Sequence, residues 1–466
     1  MKVTVSSQVT VEEPTQELLD WAEKYLVINN PEYERKIRMG LKTWNTPKKL
    51  YFYEMDGKNL IVPYGVCGNI LRFALIARAS ITQNLAPIRR VDFKTNIPLR
   101  DYQEEAVKGM MKCRNGILQS PPGSGKTRCA IALIVRRGVK TLWLTHTHDL
   151  LRQSYLSAKE FIDESLLGII EAGKVQIGEG ITFATVQTLE KQDLQSLKNT
   201  WNCIVVDECH RCVQSPTSAT MFQKVLNNLS ATYKYGLSAT VHRADGLIMG
   251  VFALLGQVQY TVPDEAVADS TMQVKVVRVN TGFYEFPEEA LDTDGTINHA
   301  KMLNALAVDG NRNLVILKKL LANAEHYNLI LSDRIAHLRC LYNALPGELR
   351  KDAAVIDGSM TSKKKRAERE QAIEDMRTGK KHFLFASYSL AKEGLDIPRL
   401  DRLHLVTPQK DYAVITQSIG RVARVFEGKG QPIIYDYVDR TNKLERMYRK
   451  RVTSYKKAHC EIVTDE

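Results

Sequence analysis

Ser120-Pro-Pro-Gly-Ser-Gly-Lys-Thr127 follows a short apolar stretch, Gly116-Ile-Leu-Gln119, and precedes a helical run, Cys129 to Val135. A strand, a glycine-containing loop and a helix in that order turn successive backbone N–H groups toward one point, which suits the oxygens of a phosphate. In such a cradle Lys126 meets the β/γ oxygens of a nucleotide and Thr127 the magnesium ion, with Ser120, Gly123, Ser124 and Gly125 shaping the loop. The strict pattern opens on glycine, and here that position is Ser120. Further along, Ile204-Val-Val-Asp-Glu-Cys-His210 is an apolar strand running into two adjacent carboxylates. Asp207 at the strand tip can hold the water shell of Mg²⁺, and Glu208, pointing differently, can deprotonate an attacking water.

A second signature lies in the other half of the chain, Gln417-Ser-Ile-Gly-Arg-Val-Ala-Arg424. Arg421 and Arg424 are three apart, a spacing that places them on one face of a helix. Gly420 within that helix costs about 1 kcal/mol relative to alanine. Its presence beside Gln417 and the two arginines argues for a functional rather than a merely solvated helix. Two arginines of this kind can neutralise charge on a γ-phosphate.

Taken together these stretches resemble the superfamily 2 helicases, whose two RecA-like domains share one ATP. Leu99-Arg-Asp-Tyr-Gln103 resembles the adenine-reading Q-type motif, and Ser238-Ala-Thr240 the segment that couples hydrolysis to domain motion. The resemblance gives Gln103 the adenine and assigns His210, Ser238 and Thr240 to coupling. Thr145-His-Thr-His-Asp-Leu-Leu-Arg-Gln153 and Thr185-Val-Gln-Thr188 resemble strand-gripping motifs of the first domain. Leu329-Ile-Leu-Ser-Asp333, Gly394-Leu-Asp396 and the run from Gln417 to Arg424 resemble motifs IV, V and VI of the second. It implies nucleotide contacts at Gly394, Asp396 and Gln417, and backbone contacts to a strand at Thr145, Thr185, Gln187, Thr188 and Ser387. Such hydroxyl and amide groups hold phosphates or sugars without reading bases, as a motor that passes over any sequence requires. Asp-Glu-Cys-His, Arg243-Ala-Asp245-Gly246, Asp309-Gly-Asn-Arg-Asn313 and the amino-terminal stretches Asn30-Pro-Glu-Tyr33, Asn45-Thr-Pro-Lys48 and Leu60-Ile-Val-Pro-Tyr-Gly65 are similar to the XPB-like and phage UvsW-like group. Members of that group act on DNA, and the UvsW-like ones remodel branched recombination and replication intermediates. The compact chain favours the phage side.

Composition is consistent with this. The length of 466 residues suits about three domains, 44% apolar residues supply their cores, and the net charge of +12 suits a polyanionic partner. No apolar run reaches the eighteen residues of a membrane span. Met1-Lys-Val-Thr-Val-Ser-Ser lacks the apolar core of a secretion signal, so a cytoplasmic location is expected, the host's if the chain is phage-encoded. Eight cysteines are scattered without a disulfide framework, and Cys209-His-Arg-Cys212 has no second pair to complete a zinc site.

The expected organisation is α/β. A small α+β domain, 1–95, precedes a first RecA-like domain, 96–272, and a second, 273–466, which ends in a basic helix over Asn442 to Lys457. In the first of these, Val3 to Val11 is expected as a strand and Thr15 to Val27 as a helix, with further strands near Leu50-Tyr-Phe-Tyr53 and Leu60-Ile-Val62; it is a candidate for binding duplex arms at a junction. Residues from about 96 onward are expected to be a self-sufficient motor. The expected function is an ATP- and Mg²⁺-dependent helicase or translocase that unwinds or branch-migrates DNA. Its partners would be single-stranded and branched duplex DNA and other replication or recombination proteins. The alternatives are an RNA helicase of the same superfamily, the motor of a restriction system, and a non-enzymatic ATP-gated nucleic-acid clamp.

Overall fold

Runs of β-branched and leucine residues alternate with amphipathic helical segments from residue 101 onward, and a chain so patterned buries both faces of a parallel sheet under helices. The computed structural model describes residues 1–171, 173–213, 216–241, 246–292, 296–360, 362–392 and 395–465, without the side chains of 216–220, 268–270, 363, 392 and 413. The chain divides into two units, Met1–Pro121 with Gly125–Pro263, and Asp264–Glu466 with Pro122–Ser124.

The first unit contains an eight-stranded sheet in the order Lys174–Val175, Leu167–Glu171, Ile181–Thr185, Thr141–Thr145, Cys203–Val206, Tyr233–Ser238, Asn115–Gln119, Val258–Thr261. Every neighbouring pair is parallel except the first, which is an antiparallel edge. The strand before the phosphate loop, the strand ending at Ser238 and the strand ending at the acidic pair therefore lie side by side, and their carboxyl ends open at one edge. In open α/β sheets that edge is where ligands bind.

The amino-terminal segment builds a five-stranded sheet ordered Glu54–Asp56, Asn59–Pro63, Gln8–Glu12, Lys2–Val5, Ser80–Gln83. The apolar run read as one strand from Val3 to Val11 is a hairpin, because the chain reverses at Ser6 and Ser7 and pairs Val3 with Val11. The helix Gln16–Tyr25 forms where expected and is capped by Thr15. No packing boundary falls near residue 95. Val3, Val9, Leu60 and Ile70 share one buried cluster with Ile117, Leu142, Ile204, Phe222 and Leu254 of the large sheet and its helices. Polar links cross the same contact: the Tyr64 hydroxyl donates to the Thr232 carbonyl at 2.8 Å and the Asn115 amide to Gly65 at 2.9 Å. A Cβ on Gly65 would stand 2.4 Å from the Ala253 carbonyl oxygen, so only glycine allows this approach. Lys234, fully buried, donates its ammonium to the carbonyls of Ser7 at 3.0 Å and Leu226 at 2.7 Å, over the Tyr64 ring. Burial pulls its pKa down to about 7.

The second unit is a seven-stranded, wholly parallel sheet ordered Ala353–Ile356, Phe383–Ser387, Asn328–Ser332, Arg402–Leu405, Ile433–Val438, Lys275–Asn280, Glu461–Thr464. Its last helix, Asn442–Lys457, forms as expected but is not simply a basic strip. Arg451 is buried in a bidentate pair with Asp436, at 2.7 and 2.8 Å, and the Tyr455 hydroxyl donates to the same carboxylate at 2.7 Å. That arginine docks the helix. Among its basic neighbours Arg446, Arg449, Lys450, Lys456 and Lys457 stay exposed.

Candidate nucleotide site and strand-contact residues

The strand Asn115–Gln119 delivers the chain to the phosphate loop, and the helix Lys126–Arg137 leaves it. Gly123 and Gly125 lie at φ +82° and +77°, the left-handed region that glycine enters without a steric penalty. Gly125 is also confined sterically, since a Cβ there would stand 2.6 Å from the Gln103 side-chain nitrogen. Within the loop Ser120 and Ser124 are buried, and the Ser120 amide donates to the Ser238 carbonyl at 3.0 Å. Gln103 is buried too. Its Oε1 accepts from the Arg100 amide at 3.0 Å, closing a capping box for the helix Asp101–Met111, while its amide nitrogen abuts the phosphate loop.

From the loop a chain of polar contacts runs across the sheet edge. Lys126 Nζ lies 3.3 Å from Glu208 Oε1, and Glu208 Oε2 lies 3.3 Å from His210 Nδ1. The same His210 nitrogen is 3.0 Å from Ser238 Oγ, which donates to the Thr240 carbonyl at 2.7 Å and accepts from the Thr240 amide at 3.2 Å. Glu208 is a non-glycine residue at φ +49°, ψ +48°. A backbone held in that sparsely populated region is characteristic of functional sites, and here it turns Glu208 away from Asp207 and toward Lys126.

Asp207 is nearly buried; one oxygen accepts from the Glu208 amide at 3.0 Å and the other from the Ser154 hydroxyl at 3.3 Å. Burial, and then the charge of Glu208, raises its pKa. Burial also works against the charge of Glu208, but Lys126, His210 and Arg211 together overcome it and hold that carboxyl below the usual range. The pair is thus split into one carboxylate kept ionised by a lysine and one reluctant to ionise without a cation. Thr127 and Asp207 offer hard oxygen donors of the kind Mg²⁺ takes. Ser154, the buried hydroxyl behind Asp207, is a site residue that sequence reading misses, because it lies on the helix His148–Lys159 within no recognisable motif.

Cys209 and Cys212 are both fully buried among apolar side chains of the core, Cys209 against Gly236.

The residues expected to contact a strand differ in exposure. Thr145 and Thr185 end adjacent strands in register, yet both are buried and their hydroxyls are spent locally, on the Thr147 carbonyl at 3.1 Å and on Thr188. Gln187 and Thr188 are half-buried at the surface of the short helix Val186–Leu189, with the Gln187 amide nitrogen donating to the His146 carbonyl at 3.0 Å. Ser387, in the second unit, ends its strand with its hydroxyl 2.9 Å from that of Ser389.

In the second unit the helix Tyr412–Val422 carries Gln417 and Arg421 but stops before Arg424, so the two arginines do not share a helical face. The chain leaves the helix because the backbone there pairs with Thr271, and the Met272 amide donates to Ala423 at 2.7 Å. Arg421 donates to the carbonyls of Ala391 at 3.2 Å and Leu395 at 3.0 Å. Arg424 is ion-paired with Asp396, so motifs V and VI meet through that contact. Gly394 and the segment 243–245 lie outside the described residues.

Residues 96–243 match the family model described as the res subunit of type III restriction enzymes, and residues 312–426 match the helicase conserved C-terminal domain. The chain is a member of superfamily 2, the ATP-hydrolysing helicases. "Probable helicase D10" of Escherichia phage T5 is 29% identical over 324 residues, 69% of this chain and 67% of that protein. The "DNA 3'-5' translocase XPB2" of Sulfurisphaera tokodaii is 26% identical over 388 residues, 77% of this chain and 85% of its own. The "ATP-dependent DNA helicase uvsW" of Enterobacteria phage T4 is 21% identical over 415 residues, with 82% and 80% covered. The chain thus spans about two thirds of the phage T5 protein and more of the other two. Helicase domains imply ATP use and nucleic-acid binding. Among the described residues no helix is long and apolar enough to cross a membrane.

Proposed function

We propose that this protein is an ATP- and Mg²⁺-dependent DNA helicase or translocase that acts on branched DNA. The observation that carries the motor reading is the series of side chains Lys126, Glu208, His210 and Ser238, each within 3.3 Å of the next, which ends on the Thr240 backbone. A change at the γ-phosphate that draws Lys126 away from Glu208 alters the partner of His210, and through it the hold on Ser238. DNA as the nucleic acid is supported by the names of two of the relatives above.

In this reading Gln103 reads adenine, and Ser120, Gly123, Ser124 and Gly125 form the loop that presents backbone N–H groups to the phosphates. Lys126 neutralises the β/γ oxygens, Thr127 and Asp207 hold Mg²⁺, and Glu208 takes the proton of the attacking water. The bound Mg²⁺ supplies charge neutralisation on the phosphates. Arg421 and Arg424 act on the γ-phosphate in the transition state, which requires Arg424 to exchange its Asp396 partner. Gln187, Thr188 and Ser387 touch the strand backbone, and Thr145 and Thr185 support them from beneath.

The test is ATP turnover measured side by side with single-stranded DNA, forked and four-way DNA, and RNA. Stimulation by DNA, with unwinding of forks or junctions, is expected. Stimulation by RNA alone would make it an RNA helicase, and no turnover with any of them would leave a nucleic-acid clamp.

A further inference from the structure

Residues 37–44 carry four large apolar side chains that stand in solvent. Of the four tryptophans, Trp143 and Trp201 are buried and Trp21 is partly covered, but Trp44 is 83% exposed. Close to it in the chain Met39, Ile37 and Leu41 are 63%, 56% and 52% exposed. These four side chains lie within eight residues of one another in the chain. Singly exposed apolar residues need no explanation, whereas a cluster with a tryptophan at its head marks a contact surface.

The segment that carries them is held at its base. Val27–Asn29 pairs antiparallel with Lys49–Tyr51, so residues 30–48 form a closed excursion from a two-stranded ribbon. Inside it the buried Asn30 caps the helix Pro31–Arg38 and donates to the Pro47 carbonyl at 2.9 Å, and Lys36 donates to the Thr46 hydroxyl at 2.5 Å. The apolar tip is therefore displayed on a cross-braced frame. Groups ordered before they bind lose little conformational entropy on binding.

The charge around the tip names the partner. Between residues 30 and 51 there are six basic residues, Arg35, Lys36, Arg38, Lys42, Lys48 and Lys49, against two acidic ones, Glu32 and Glu34. Lys36 offsets Glu32 at 3.1 Å, and the other five basic side chains lie on exposed residues. An exposed aromatic ring on a segment rich in exposed cations suits a nucleic acid: the ring stacks on an unpaired base while the cations neutralise the flanking phosphates. A protein partner meeting this tip would have to be acidic and apolar at once, and a second copy would bring its own excess of positive charge against it.

We propose that residues 35–51 are a DNA contact in which Trp44 stacks on an unpaired base where the arms of a branched molecule meet, with Arg35, Arg38, Lys42, Lys48 and Lys49 on the adjoining phosphates. This rests on the branched-DNA reading above and gives it a specific surface, outside the motor motifs.

The experiment uses the full chain and a three-strand fork carrying 2-aminopurine at the junction, with fully paired duplex and unbranched single strand as controls. Trp44→Ala should weaken fork binding about ten-fold and abolish the 2-aminopurine quenching seen with the parent, whereas Trp44→Phe should keep most of both. Lys48→Gln with Lys49→Gln should lower the slope of log affinity against log salt by about two on every DNA form. Because Trp44 is exposed, the thermal midpoint of Trp44→Ala should equal the parent's. Fork affinity and quenching unchanged in Trp44→Ala would overturn the proposal, as would an equal loss on fork and paired duplex. Self-association of the parent that Trp44→Ala abolishes, with DNA affinity intact, would give the tip to a second copy instead. DNA-stimulated ATP turnover separates the two readings: if the parent shows none with single-stranded, forked or four-way DNA the motor reading fails, and if turnover is normal while fork binding ignores Trp44, only this surface does.

Discussion

Replacing Glu208 with glutamine changes one charge and almost no volume, and the structure sets what should follow. Glu208 sits 3.3 Å from Lys126 and 3.3 Å from His210 at a strained φ of +49°. Glutamine keeps the side-chain length and has a similar backbone preference, so the loop geometry survives. The amide cannot accept the proton of the attacking water. A positioned general base contributes about 10²- to 10⁴-fold, so kcat should fall by that factor, about 2.7 to 5.4 kcal/mol at 1.36 kcal/mol per decade. Nucleotide binding should not weaken in step. Glu208 is the second cause, after burial, of the raised pKa of Asp207, and removing its charge lets Asp207 ionise more readily. The Glu208→Gln protein should therefore bind ATP and Mg²⁺ at least as well as the parent and accumulate as an ATP-bound, DNA-bound species. Single-turnover hydrolysis gives the chemical step, and a fluorescent ATP analogue with DNA anisotropy gives the binding. A kcat within about three-fold of the parent's would refute the assignment of Glu208 as base, as the expected loss is at least thirty times larger.

Further expectations follow from the same geometry. Lys126→Ala should abolish ATP turnover and strand separation while leaving DNA binding largely intact; normal ATPase activity in that variant would remove Lys126 from the site. Arg424→Ala should cut kcat by about 10³-fold or more with nucleotide affinity within several-fold of normal, and Arg424→Lys should not restore it because an ammonium lacks the planar fork; a pure KM effect would make Arg424 a ground-state binding group. Lys234 has a pKa depressed to about 7 in the fold from an ordinary 10.5. The unfolded chain therefore binds the extra proton between those values, and stability should rise with pH across that window and be lost as pH falls toward 7. Lys234→Met should flatten that rise in thermal midpoint against pH, and an identical rise in parent and variant would show that the amine does not titrate there.

Much of the site was legible in sequence because its parts are local. The phosphate loop needs glycine at positive φ within a few residues of a lysine and a threonine, and the acidic pair needs only a strand that ends on it. Adjacent positions in the chain express both demands. The helix Lys126–Arg137 and the last helix, Asn442–Lys457, could likewise be read from their own periodicity. What was not legible depends on neighbours distant in the chain. Arg424 leaves its helix because Thr271 pairs with its backbone, a contact across about 150 residues. Thr145 and Thr185 look like surface hydroxyls and are buried because their strands lie side by side in the interior of an eight-stranded sheet. Ser154 reaches Asp207 from a helix that carries no signal for it.

Hydrophobic periodicity and short-range backbone geometry are properties of contiguous residues, so the order of amino acids was enough for the class of fold, two alternating α/β units, and for where the glycine-containing loop and the acidic pair fall in it. Only the packing of the whole chain settled that the amino-terminal residues from Val3 to Ala74 share a core with the first motor sheet, that Lys126, Glu208, His210 and Ser238 form one series of contacts, and that Trp44 stands in solvent on a braced tip. Burial and through-space charge are set by which strands become neighbours, and that order is chosen by the packing of the whole chain.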